Sequence, residues 1–187
     1  SGETWFEFNG GIPNCCAIEY LANRFYVGTK SQNIFCGNGS DKFIAVRWDN
    51  LSLKFEGARC IGYNKDTGTF FGAGHQAATS NDGVTWWSRF DLTAHEELGQ
   101  RNLQAVVPVN KDTYVIGEDM VMFRYRNALF EQIGSLGKGS VLGAILHDDR
   151  IILATSEGER YILLSDLNAD AGETIPPGGN PPGPGPY

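Results

Sequence analysis

No apolar run in this chain approaches the roughly 18–20 residues that a membrane-spanning helix needs, so insertion into a bilayer is not expected. Histidine is scarce, with three in 187 residues, and none lies at ligand spacing from any of the four cysteines. Those cysteines, Cys15, Cys16, Cys36 and Cys60, form no C-x-x-C pair, so no zinc site, no disulfide framework and no cofactor is expected. Their apolar, strand-like surroundings read as free buried thiols in a protein folded in a reducing compartment. Basic charge is also short. Fifteen Lys and Arg stand against 22 Asp and Glu, a formal charge of −7 that repels phosphate backbones and excludes nucleic acid as an expected partner. Helical periodicity is nearly missing, and only T-A-H-E-E-L-G-Q at 93–100 reads as a short helical turn. No signal peptide or initiating Met precedes Ser1-Gly2-Glu3, which reads as a tag remnant or the cut edge of a longer protein.

What is present is glycine, 24 residues of it, together with strand-forming Val, Ile, Phe, Tyr and Trp. These residues fall into four repeats. A small residue opens an apolar strand at Cys16, Cys60, Ala105 and Gly143, and a polar turn follows. Second strands then come as FYVGTK (25–30), TFFGAG (69–74), TYVIGED (113–119) and IILATS (151–156). Third strands are SQNIFC (31–36), HQAATS (75–80), VMFRYR (121–126) and ERYILLS (159–165). Fourth strands are FIAVRW (43–48), TWWSRF (85–90) and ALFEQI (128–133).

A period of roughly 40–45 residues with about four short strands per unit is the pattern of a β-propeller. The expected fold is therefore all-β, a small propeller of four blades, each of four antiparallel strands. The repeats run over 12–56, 57–100, 101–138, and 139–168 with 1–8. The last repeat lacks a fourth strand, and the N-terminal Gly2-Glu3-Thr4-Trp5 overlays on Gly83-Val84-Thr85-Trp86, so residues 1–8 are expected to close the last blade. Small residues opening the inner strands fit the crowded axis of such a ring. Residues 169–187, rich in Pro and Gly, read as an extended linker or tail.

The stretch SNDGVTWW (80–87) is the chemistry of a tight hairpin corner. Gly83 supplies positive φ, the Asp82 carboxylate can accept backbone N–H groups, and a Trp can fold under the turn. Ser80, Asp82, Gly83, Thr85 and Trp86 match the S-x-D-G-x-T-W pattern, and the chain here resembles the Asp-box, or BNR-repeat, propellers. The resemblance implies a structural turn between a blade's third and fourth strands, facing away from any axial site.

The same resemblance raises a sialidase-like glycosidase, which would need an arginine triad, a Tyr activated by Glu and an acid/base Asp. The early F/Y-R-I-P motif of those enzymes is absent, and its nearest analogue, Gly11-Ile12-Pro13, carries no Arg. Catalysis is therefore not expected, and no catalytic or metal residue is assigned. His147-Asp148-Asp149 reads as a solvated turn, because polar turns recur at that point in the other repeats, with Asp66 and Asp112 at equivalent places.

The expected function is a non-catalytic interaction or structural module of a larger assembly. Its partners would be proteins of that assembly or a surface glycan, in a phage tail or other virion, or in the bacterial cytoplasm or surface. A lectin-like propeller is the second reading and a glycoside hydrolase the third. Trp48, Trp87 and Tyr125 are candidate stacking residues. In VMFRYR, Arg124 and Arg126 share the face opposite Phe123 and Tyr125, which makes them candidates for an exposed contact surface.

Overall fold

A computed structural model describes residues 12, 14–30, 33–38, 43–48, 57–91 and 101–167. The expected closing strand at 1–8, the short turn at 93–100 and the tail at 169–187 lie outside the described residues.

Four small sheets are arranged as the four blades of a β-propeller. Blade 1 is the meander β1 (Cys15–Leu21), β2 (Arg24–Thr29), β3 (Ile34–Gly37) and β4 (Ile44–Ala45). Between blades 1 and 2 comes β5 (Arg47–Trp48), and blade 2 then runs β6 (Cys60–Asn64), β7 (Thr69–Ala73), β8 (Gln76–Ser80) and β9 (Thr85–Asp91). Blade 3 is β10 (Leu103–Val109), β11 (Asp112–Gly117), β12 (Val121–Arg126) and β13 (Leu129–Ser135). Blade 4 contains β14 (Val141–His147), β15 (Arg150–Thr155) and β16 (Gly158–Leu163), followed by one helical turn, α1 (Leu164–Leu167).

The inner strands pack in order, β1 on β6, β6 on β10 and β10 on β14. Each junction of blades is one apolar seam. Tyr26, Ile34, Cys36 and Val46 of the first repeat meet Ala58, Ile61, Phe70 and Trp86 of the second. Cys60, Ala73 and Ala77 meet Leu103, Val115 and Phe123. Ala105, Val107, Tyr114, Ile116 and Met122 meet Val141, Ile151, Leu153 and Ile162. The small residues allow close approach: a Cβ on Gly62 would stand 2.6 Å from the Val106 side chain, and one on Gly28 only 2.3 Å from the Ala58 carbonyl oxygen. The second of these neighbours is backbone and cannot yield.

Several details depart from the sequence reading. Cys16 is the bulged residue of β1, so Ala17, paired with Gly28, is the register equivalent of Cys60, Ala105 and Gly143. The same kind of bulge in β10 brings Ile116, not Gly117, opposite Ala105. FIAVRW is not one strand. Ile44–Ala45 pairs with β3, while Arg47–Trp48 crosses over to lie parallel to β9 at the outer edge of blade 2. Blade 2 therefore has five strands and blade 4 three described ones. The end of ERYILLS turns helical because Leu167 folds back into the seam of blades 3 and 4. The thiols divide as well: Cys36 and Cys60 are buried as expected, but Cys15 and Cys16 are exposed at the start of β1, where the Cys16 thiol bonds the Ala58 carbonyl at 3.0 Å.

Candidate functional site

In an antiparallel meander, the first-to-second and third-to-fourth turns of every blade emerge on one rim. Two turns here, Ala22-Asn23 and Asn127-Ala128, have positive φ at both central residues, as the tightest two-residue hairpins require.

The SNDGVTWW corner stands on this rim. Ser80 is fully buried, and its hydroxyl accepts the Gly83 N–H at 2.8 Å and donates to Asp82 Oδ1 at 3.0 Å. Asp82 Oδ1 also accepts the Val84 and Thr85 N–H groups, at 2.8 and 2.7 Å. Desolvation alone would raise this carboxyl, but the donors at Thr85, Val84 and Ser80 outweigh it and hold Asp82 below its ordinary value. Gly83 has φ +72°, and any Cβ there would fall 2.0 Å from the Tyr26 hydroxyl of blade 1. Trp86 lies beneath, fully buried, its indole N–H donating to the Gly83 carbonyl at 3.1 Å. Its ring meets those of Tyr26, Phe70 and Trp48. Burial among these rings pushes the Tyr26 phenol up to about 12. The corner thus seals the seam between blades 1 and 2, and its exposed carboxylate, Asp82, is engaged by the N–H groups of its own turn.

A shallow groove of about 440 Å³ opens on the same rim between blades 3 and 4. It is lined by Lys111, Asp112, Tyr114, Arg126, Asn127 and Leu164 among others. Arg126 Nε bonds Asp112 Oδ1 at 2.6 Å and its Nη2 meets Oδ2, a bidentate pair that raises the guanidinium pKa further. Burial raises the Tyr114 phenol. Across the seam of blades 2 and 3, the buried Asn64 amide donates to the Asp112 carbonyl at 2.8 Å and to the Thr113 hydroxyl at 3.0 Å. Its Oδ1 accepts the Asp66 N–H at 3.0 Å, tying the turn of blade 2 to blade 3.

The expected binding residues are therefore not gathered into one site. Arg126 alone reaches the groove. Arg124 is not an exposed contact: its side chain is 14% exposed and bonds Glu131 at 2.7 Å, because the Tyr114-facing side of β12 lies in the seam with blade 4. Tyr125 packs edge-on against Phe71 in the seam of blades 2 and 3. Trp48 donates its indole N–H to Asn33 Oδ1 at 2.7 Å and leans on Trp86, while Trp87 is partly exposed on β9. Asp112 reads from sequence only as a turn residue; its pairing with Arg126 depends on the register of the adjacent strands β11 and β12, whose start and end lie opposite each other. His147 is exposed at its turn, 3.6 Å from Asp148, and no cluster of metal-ligating groups occurs among the described residues.

No protein-family model matches the chain, and no curated protein matches it in sequence. Solved structures do match in fold. The extracellular domain of a B. thetaiotaomicron protein named as a hybrid two component system aligns over 91% of this chain and 25% of its own, with TM-score 0.64 and 10% identity. The Neurospora crassa Pan2 WD40 domain aligns over 80% of this chain and 46% of its own, with TM-score 0.57 and 13% identity. The computationally designed Ika8 protein aligns over 79% and 45%, with TM-score 0.56 and 10% identity. The chain thus spans between a quarter and just under half of these structures, and the likeness is one of fold.

Proposed function

We propose that this chain is a non-catalytic interaction or structural module of a larger assembly, in a phage tail, another virion component or a bacterial surface protein. The observation that carries the reading is where its large apolar side chains stand. Ile18, Tyr20, Ile44, Leu129, Leu142, Ile145 and Leu146 are all exposed, and all lie on strands rather than in turns. Ile18 with Tyr20 on β1, and Leu142, Ile145 and Leu146 on β14, put two groups of them on rigid strands, and contiguous exposed apolar surface marks a contact with a partner. The Asp-box likeness supports the same reading, since its residues here are occupied in holding a corner. A surface setting draws support from the fold match to an extracellular domain. Fractionating the full-length protein from its native source tests the proposal: cosedimentation with particles or with the cell envelope is expected, and a protein free of both would overturn it. Turnover of a fluorogenic sialoside would instead favour a glycosidase.

The rim groove favours one second reading, a glycan site. Its Lys111, Asn127 and Asp112–Arg126 pair offer several hydrogen-bonding groups in a space suited to a small sugar. Binding on a glycan array, lost in Arg126→Ala, would establish it; a blank array would remove it.

A further inference from the structure

Four blades form three described seams, so two blade faces have no described blade against them. No packing like that between neighbouring inner strands joins β14 to β1. On blade 1 the outward face carries exposed Ile18, buried Val27 and half-buried Phe35 in one cross-strand row, and Tyr20 with Phe25, whose rings are 4.8 Å apart, in the next. On blade 4 it carries Ile145, Ile152 and Tyr161 in one row, with Gly143 and Ala154 beside them.

Register shows what these faces are. Ile18 and Ile61 occupy the same position on β1 and β6, opposite Val27 and Gly72. Ile61 packs toward blade 1 and is 6% exposed, whereas Ile18 is 65% exposed. Val107 and Ile145 occupy the same position on β10 and β14, opposite Tyr114 and Ile152. Val107 packs toward blade 4 and is 2% exposed, whereas Ile145 is 62% exposed. Blade 1 thus presents outward the surface that each later blade turns toward the blade before it. Blade 4 presents the surface that each earlier blade turns toward the blade after it. The two are complementary halves of the seam repeated inside the chain.

We propose that a second copy of this chain docks head to tail, the blade 4 face of each copy on the blade 1 face of the other, so that two copies share one ring of eight blades. The contact continues a seam the chain already builds three times. A heterologous contact of this kind gives a closed ring only when the rotation between copies returns to the start, and closure after two copies is what the proposal requires. The inference rests on the contact reading proposed above, assigning Ile18, Tyr20 and Ile145 of that exposed surface to a second copy and leaving Ile44, Leu129, Leu142 and Leu146 to other partners.

Sedimentation velocity and light scattering of the 187-residue chain over a concentration series test it. The expected result is a closed dimer with no larger species. Ile18→Glu and Ile145→Glu, both at exposed positions, should each give a folded monomer by circular dichroism. An equimolar mixture of the two should regain a dimer, because it restores one seam in which both faces are unaltered. A monomer at all concentrations overturns the proposal, as does an open series of oligomers. A dimer that survives one substitution but not the other also overturns it, because that result means like faces are paired. Further blades of a longer parent chain would be the occupant if the 187-residue chain stays monomeric while an extended chain forms a closed monomeric ring.

Discussion

Blades 2 and 3 have a neighbour on both sides; blades 1 and 4 have a described neighbour on one. The strands themselves are alike. Each inner strand is an apolar alternation closed by a short polar turn, and an isoleucine sits at the same register position in blades 1 and 2. Burying a side chain of this size stabilises by roughly 1.5–3 kcal/mol. The interior blades hold that contribution within the chain, and the terminal faces leave it available to whatever covers them. Sequence periodicity reports which residues share a face. It does not report what lies opposite.

The largest test of this contrast sets Trp86→Ala against Ile145→Ala. Removing Trp86 empties the seam of blades 1 and 2 and should cost about 3–5 kcal/mol in urea unfolding. Ile145→Ala, measured in the monomeric Ile18→Glu background, should stay within about 0.5 kcal/mol. Equal losses would mean that the blade 4 face is covered within one chain. Next in size, Asn64→Ala strips the amide that joins blade 2 to the Asp112 carbonyl of blade 3, and should cost roughly 1–3 kcal/mol in the same assay.

Asp82→Ala tests whether the SNDGVTWW corner supports the first seam. The carboxylate is exposed, so an effect of about 1–2 kcal/mol is expected, seen as a lower urea midpoint. Its folded pKa lies below the ordinary 3.8, so its contribution is present above that value and fades as pH falls through the lower folded value. Asp82→Asn should lose this part of the acid sensitivity; an unchanged acid profile would show that other carboxyls dominate. Smallest of all, Ala22→Gly and Ala128→Gly relieve positive φ in turns of a terminal and an interior blade. Each should gain roughly 0.5 kcal/mol, and the two gains should match, because a local backbone effect is indifferent to seams.

Much of the architecture was readable in advance: the four repeats, the hairpin turns, and the corner in which Asp82 gathers N–H groups above a buried Trp86. What escaped depends on registry or on distant partners. One extra residue at the bulge moved Cys16 off the position that Ala17 fills. FIAVRW reads as a continuous strand, yet the chain leaves blade 1 after Val46, whose N–H bonds the Ile34 carbonyl, and Arg47 bonds the Val84 carbonyl instead. The arginines of VMFRYR were placed on the right face of the strand, but the ion pairs with Glu131 and Asp112 that occupy them come from β13 and the start of β11.

The crossing of Arg47–Trp48 onto β9 also orders events in time. These two residues leave the ribosome before any of blade 2, and their partners Thr85 and Trp86 arrive only after three further strands. The first half of the chain therefore closes a long loop before its outer edge is paired, whereas blades 3 and 4 assemble from adjacent hairpins. Long-range closure is the slow kind. On this account the strap at 47–48 would be the last piece of the first two blades to lock, and until it does the edge of β9 stays open to pairing with other chains.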